Sequence, residues 1–192
     1  VGAIAREGSH DATAAVHRGA GVTPAGYPSE LEDDVATSLG TVHVRPIRPE
    51  DGPALIAFHD ALTPQTQYLR FFHAHPHLSA AEVERFTNVD YGRRLALVLE
   101  RDGELIGVGR YDTLDAHEAE VAFVVADAFQ SHGLGALLLH RLADAARARG
   151  LTRFVAETLP GNQRMLAVFR ESGFGARTSF EGDVVRVTFP IS

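Results

Sequence analysis

The chain has 192 residues, 45% of them hydrophobic and 22% charged, a formal net charge of −7 and no cysteine. These values fit one globular domain with a sizeable core and exclude wholesale disorder, disulfides, thiolate nucleophiles and cysteine-ligated metals. No apolar run approaches the ~18 residues of a membrane span, the first residues lack a signal peptide's apolar stretch, and the acidic balance argues against nonspecific nucleic-acid binding, so a cytoplasmic protein with neither membrane nor nucleic-acid partner is expected.

Residues 1–26 are rich in Ala and Gly without sustained periodicity, which predicts a flexible tail before a single domain over 27–192. Val35–Ser38 and Thr41–Ile47 are β-prone runs around Leu39-Gly40 and predict a hairpin. Pro49-Glu50-Asp51 opens a helix whose apolar face is Leu55, Phe58, His59 and Leu62, ended by Thr63-Pro64. Two more helices are expected over Gln65–Phe72 and Ala80–Val89, the second with a capping box of Ser79 and Glu82. Strands follow at Leu95–Arg101, Glu104–Tyr111 and Glu118–Ala126, the first two joined by the hairpin dipeptide Asp102-Gly103. Leu134–Arg149 is helical, with an apolar stripe of Leu134, Leu137, Leu138, Leu142 and Ala145 and a stop at Gly150. A strand at Arg153–Leu159, a helix at Asn162–Ser172 and a hairpin of Phe174–Phe180 with Val184–Phe189 complete a mixed α/β domain. All 18 basic residues are arginine, so the chain has no lysine of its own to be modified.

The stretch Gln130-Ser-His-Gly133-Leu-Gly135 runs from a strand into a helix. Glycines there let successive backbone N–H groups form a concave anion cradle at the positive end of a helix, which suits a pyrophosphate. The spacing differs from the dinucleotide fingerprint, and no ribose-binding acid follows.

Downstream lies Asn162-Gln-Arg-Met-Leu-Ala-Val-Phe169-Arg-Glu-Ser-Gly173-Phe174. The pair Q-x-x-G-x-G and N-x6-F-x3-G-F resembles the GCN5-related N-acetyltransferase (GNAT) family over about residues 41–190. Arg45-Pro-Ile-Arg-Pro-Glu-Asp51, Tyr68-Leu-Arg-Phe-Phe72, Phe86-Thr-Asn-Val-Asp-Tyr91 and Ala119-Glu-Val-Ala-Phe123 are similar to the catalytic domains of bacterial Pat-type protein lysine acetyltransferases. The resemblance implies the GNAT fold and acetyl-CoA as acyl donor, with no metal. It places the donor on Gln130, Ser131, His132, Gly133, Leu134, Gly135 and Ala136, on the backbone of Phe123, Val124 and Val125 in a bulged strand, and on Asn162 and Phe169. It implies a protein acceptor, an acyl-CoA synthetase, modified on an active-site lysine. A small amine or a protein N-terminus on the same fold, or a non-catalytic acyl-CoA sensor, are the rival readings.

A lysine amine has a reference pKa of about 10.4 and arrives protonated, so transfer needs a base. Alternation puts Glu118, Glu120, Ala122 and Val124 on one strand face and Val121, Phe123 and Val125 on the other. Glu120 is nearest the expected bulge and occupies the Pat-like base position; Glu118 is the alternate. Asp90, Asp112, Asp115, Glu118 and Glu120 are expected on segments near one acceptor cleft; Asp90 and Tyr91 suit either a place in its lining or a helix cap. Phe169 stands where many family members carry a proton-donating Tyr, and Phe donates none, so it reads as packing. His73, His75 and His77 alternate around Pro76 without the acid cluster of a metal site.

Overall fold

A computed structural model describes residues 26–191; the tail read over 1–26 lies outside them apart from Gly26. Tyr27 is packed into the core edge-on against Tyr91 (5.6 Å), under the Arg48 guanidinium (4.7 Å), with its hydroxyl donating to Glu32 (2.5 Å). β1 (Asp33–Thr37) and β2 (Gly40–Pro46) form the expected hairpin.

Pro49–Asp51 is a short 3-10 turn rather than the first turn of α1 (Gly52–Asp60). The reason is Asp51, whose buried carboxylate accepts the Arg48 N–H (2.7 Å) and both terminal nitrogens of Arg45 (2.7 and 2.8 Å), pinning the turn to β2. Arg45 also donates to Glu100 (3.1 Å). Leu55, Phe58 and His59 form the buried face of α1, continued by Leu62.

Thr63-Pro64 starts a helix instead of ending one. Pro64 occupies the first turn of α2 (Pro64–Phe71), where its missing N–H costs nothing, and the Thr63 hydroxyl caps Thr66 N–H (3.2 Å). α3 (Ala80–Thr87) carries the expected capping box of Ser79 and Glu82.

β3 (Arg94–Arg101), β4 (Glu104–Thr113) and β5 (Glu118–Val125) are an antiparallel meander. α4 (Leu134–Arg147), β6 (Arg153–Thr158), α5 (Gln163–Glu171), β7 (Arg177–Glu181) and β8 (Val184–Pro190) follow. β7 begins later than expected because Phe174 leaves the strand to stack on Phe189 (5.8 Å).

The strands form one sheet in the order β1-β2-β3-β4-β5-β6-β8-β7, and β5–β6 is its parallel pair. Side-chain alternation separates two layers. One face carries Val108 and Val124, packed with Leu55, Phe58 and Leu62 beneath α1–α3. The other carries Val121 and Phe123, packed with Leu138 and Leu142 of α4 and with Phe154, Phe169 and Phe189. Gly109 permits the approach of α4, since a Cβ there would lie 3.0 Å from Leu142 Cδ1. Among the described residues no helix is long and apolar enough to cross a membrane.

Candidate active site

Strand pairing creates the site. β5 and β6 pair only from Glu118↔Arg153 to Glu120↔Val155. Beyond Glu120 they part, and the edge of β5 facing β6 has no strand partner there. A pocket of about 580 Å³ fills the gap, walled by Glu120–Val125, the loop leading to α4, the end of β6, α5 and the inner side of α2.

The expected bulge at Phe123–Val125 is absent. The β4–β5 ladder keeps one register from Gly107↔Val125 to Thr113↔Ala119, and the only irregularity in the adjoining β3–β4 ladder is at Leu99/Glu100. On the side that β6 leaves, the backbone groups of Phe123 and the Val125 N–H have no strand partner, while Val124 turns its own to β4 and the Val125 carbonyl takes the Gln130 amide (3.0 Å). The separation of strands supplies what a bulge was expected to supply.

The loop before α4 is held open by its own chemistry. Gly133 has φ +79° and no side-chain cap covers the helix start. The first carbonyl of the ladder, Gly133 O, takes the Leu137 N–H (2.9 Å), so the N–H groups of Leu134, Gly135 and Ala136 precede the ladder. Together with the helix dipole they favour an anion. Gly135 meets the apolar wall: a Cβ there would touch Phe123 (3.4 Å) and Val168 (3.5 Å).

Of Gln130–Ala136, all but His132 line the pocket. The His132 ring braces the loop through Nδ1 to Gln130 O (2.7 Å). The Gln130 side chain is also engaged, donating to Val125 O (3.0 Å) and accepting from Arg164 (2.6 Å). Asn162 caps α5 by accepting the Met165 N–H at Oδ1 (3.2 Å), so its Nδ2 is the group it offers to the pocket it lines. Phe169 packs edge-on to Phe123 (5.7 Å) and against Phe189 (5.6 Å).

The α2 wall is tied to the end of β5. Asp127 accepts from Thr63 N–H (3.0 Å), Thr63 Oγ1 (2.8 Å) and Thr66 Oγ1 (2.6 Å). Burial works to raise its pKa, but these hydrogen bonds outweigh burial and hold Asp127 below the ordinary carboxylate range.

Glu120 stands where β5 and β6 begin to part. Its side chain reaches the pocket and keeps an exposed face there, and partial desolvation by the pocket walls raises its pKa. Glu157 across the gap adds to the rise, while Arg70 and Arg186 pull the other way. The other expected acids do different work. Glu118 is ion-paired to Arg153 (2.7 Å) and lies outside the pocket. Asp112 pairs with Arg94 (2.8 Å), Asp90 caps Gly92 and Arg94 (2.9 Å each), and Asp115 caps His117 and Glu118 (2.7 and 2.8 Å). Tyr91 is buried and donates to Ile47 O (3.0 Å) instead of lining the cleft.

Reading the sequence missed Glu157, Thr158, Arg164 and the pocket side of α2. Thr158 is the most informative. It is 1% exposed and lines the pocket, yet its Oγ1 has no hydrogen-bond partner among the described residues. A buried hydroxyl in that condition calls for a partner from outside the described residues, a water or a ligand atom. No tyrosine lines the pocket. The three histidines around Pro76 also lie outside it, with His75 stacked on Phe71 (4.2 Å), and no cluster suited to a metal occurs among the described residues.

Comparison with known proteins gives a consistent result. The family model described as acetyltransferase (GNAT) family matches residues 56–174. An acetyltransferase of Pseudomonas aeruginosa is 31% identical over 138 residues, covering 69% of this chain and 74% of that protein. Acetyltransferase Pat of Mycolicibacterium smegmatis is 29% identical over 135 residues, which are 68% of this chain but 40% of that longer protein. The solved GNAT domain of S. lividans PAT is 42% identical, with a TM-score of 0.81 over 85% of this chain and 99% of that one. The sheet that parts beside an uncapped helix, and the sequence matches spanning it, lead to one assignment: the chain belongs to the GNAT acetyltransferase family.

Proposed function

We propose that residues 27–192 transfer an acetyl group from acetyl-CoA directly to the amine of a protein lysine, in an acyl-CoA synthetase, with Glu120 as general base. The observation that carries this reading is the position of Glu120, a carboxylate of raised pKa beside the open edge of β5 and across the pocket from the uncapped start of α4.

The residues present fit the donor. The N–H groups of Leu134, Gly135 and Ala136, with the loop from Gln130, suit its pyrophosphate, and Arg164 adds a positive charge on the same side. The unpaired backbone groups of Phe123 and the Val125 N–H, with the Asn162 amide and the Thr158 hydroxyl, suit the polar pantetheine arm, with the Phe123 and Phe169 rings as its apolar bed. When bound, acetyl-CoA supplies the acetyl thioester.

Glu120 performs the proton chemistry. A carboxylate raised toward neutrality accepts a proton from an ammonium group more readily than an ordinary one, and Glu157 nearby strengthens attraction for the cation. Phe169 donates nothing, and none is required, since a thiol of reference pKa about 8.5 leaves as thiolate.

A protein acceptor is supported by the Pat-like segments and by the outer side of α2. Tyr68 is 45% exposed on the helix whose inner side walls the pocket, an anchor that a small amine cannot span. The test is CoA-release kinetics on a panel of an intact acyl-CoA synthetase, a short lysine peptide and spermidine, with mass spectrometry of the synthetase. Turnover at least about tenfold better for the synthetase, with one active-site lysine acetylated, is expected. Equal or better turnover of spermidine with that lysine unmodified overturns the reading.

A further inference from the structure

Two arginines beside the site lack what the other buried arginine has. Arg45 is clasped by Asp51 and Glu100. Arg110, on β4, is 9% exposed and stacks over the Phe86 ring at 4.2 Å, but makes no hydrogen bond or ion pair among the described residues. Arg70, on the inner side of α2, likewise has no carboxylate within 4 Å among the described residues, and the ring nearest its guanidinium is Phe71 (5.1 Å). The charges facing them come from several elements: Glu120 from β5, Asp112 from β4, Arg94 from β3 and Arg85 from α3. Of these acids Asp112 is already committed to Arg94 at 2.8 Å.

The cost of this arrangement shows in the pair itself. Burial pushes the Arg70 guanidinium down, with Glu120 and Asp112 opposing. Burial, and then the like charge of Arg70, take Arg110 down to about 9. Stacking on Phe86 offsets only part of the desolvation of a guanidinium. Both line a small second cavity of about 30 Å³, otherwise walled by His59 and by apolar side chains including Phe86, Leu62 and Val124. A water needs at least about 10–15 Å³ by this measure, so the space has room for two waters beside the guanidinium groups. Arg70 and Val124 are also part of the wall of the main pocket.

The sheet register fixes the relation to the base. Arg110 is opposite Ala122, and the next pair along the same face is Asp112 opposite Glu120. Arg110 and Glu120 are therefore diagonal neighbours, with anchor points about 7–8 Å apart. An acceptor entering this end of the pocket meets acids at Glu120 and Glu157 and a cation at Arg70, with Arg110 behind it on the second cavity.

We propose that Arg70, backed by Arg110, is a carboxylate-binding subsite for the acceptor, so that the preferred substrate carries a carboxylate a short distance from the amine it offers to Glu120. This rests on the reading of Glu120 as the amine's base. Two sources supply that chemistry: an Asp or Glu side chain next to the target lysine in a protein, or the carboxylate of a free amino acid. In either, opposite charges at the two ends of the acceptor fix its orientation, because the reversed pose sets carboxylate against carboxylate.

The test compares matched acceptors on the full chain. One pair is a lysine peptide with flanking Glu and the same peptide with Gln; the other is free lysine and cadaverine. CoA release gives kcat and KM, and calorimetry in the presence of CoA gives acceptor binding without turnover. Wild type should prefer the carboxylate member by at least about tenfold, in KM rather than kcat, and Arg70→Gln should bring that ratio close to one. The pair that shows the preference identifies the source. Arg110→Met should reduce the ratio in the same direction, and if that variant does not fold, Arg70→Gln decides alone. Equal ratios in wild type and Arg70→Gln, or no preference in wild type, overturn the subsite. Preferential binding that Arg70→Gln abolishes, without turnover of any acceptor, upholds the subsite and overturns the transferase reading instead.

Discussion

The two halves of β5 belong to one strand and do different work. From Glu118 to Glu120 the strand is paired on both sides, with β4 and with β6, and the Glu118 carboxylate is tied to Arg153. From Val121 to Val125 it keeps β4 but has lost β6, and its free edge lines the pocket. Glu118 and Glu120 are two residues apart on one face, so composition and periodicity treat them alike. Their difference comes from the strand that stays beside one and leaves the other. A half-open strand thus offers backbone groups for recognition while its paired half keeps them in place.

The largest effect expected along this contrast is at Glu120. Glu120→Gln should lower kcat/KM at neutral pH by about 10²–10⁴-fold while acetyl-CoA still binds. Because the Glu120 pKa is raised, first by burial and then by Glu157, the wild-type rate should fall as pH drops through a value above the ordinary ~4.3 of a glutamate. The working form is the deprotonated one, present above that pKa and lost below it. A pH–rate profile should show this limb in wild type and not in the variant, whose rate should rise with pH as free amine accumulates. Wild-type rates in Glu120→Gln would assign the base elsewhere.

Next is the cradle. Gly135→Asp sets a carboxylate against Phe123 and Val168 or drives it into the loop that suits pyrophosphate. Like charges brought together cost several kcal/mol, so acetyl-CoA affinity should fall by at least about 100-fold by calorimetry. Unchanged affinity would displace the donor from this loop.

Thr158→Val tests the gap from its other wall and carries two opposite signs. Removing a buried hydroxyl that has no partner should stabilise the free protein by about 1 kcal/mol, while acetyl-CoA loses a contact and its KM rises severalfold. Thermal melting without ligand and steady-state kinetics read the two separately. A destabilised variant with unchanged KM would mean the hydroxyl serves the fold alone.

The smallest effect belongs to the paired half. Glu118→Gln breaks the contact with Arg153, itself about half exposed, and should cost no more than about 1 kcal/mol of stability with kcat/KM within about twofold of wild type. A loss approaching that of Glu120→Gln would erase the distinction between the two halves.

Much of this molecule was legible from short stretches of chain. The Ser79–Glu82 capping box, the Asp102-Gly103 hairpin, the buried face Leu55, Phe58 and His59, and the glycine loop entering α4 are all local. Each depends on residues within a turn or two, and backbone preferences and side-chain periodicity act at that range. Glu120 and Asn162 came instead from the family resemblance, and the structure puts both on the pocket wall. Thr63-Pro64 shows the limit even locally: the dipeptide marks a boundary, but whether it closes one helix or opens the next was decided by the Thr63 cap and by Asp127, 64 residues away.

The tertiary structure alone decided where the strands part and what faces the gap. Glu157, Thr158 and Arg164 are unremarkable in sequence, and they line the site because β6 and α5 are carried beside β5 by pairing with β8 and packing on α4. Asp90, Asp112, Asp115 and Glu118 are as acidic as Glu120, and each is already committed: Asp112 and Glu118 to arginines on neighbouring strands, Asp90 and Asp115 to backbone N–H groups of their own turns. Charge and hydrogen-bonding capacity are properties of a residue and can be read from the chain. Whether that capacity is spent inside the protein or left for a ligand depends on neighbours brought together by folding, and the difference between Arg45 with its two carboxylates and Arg110 with none is written only there.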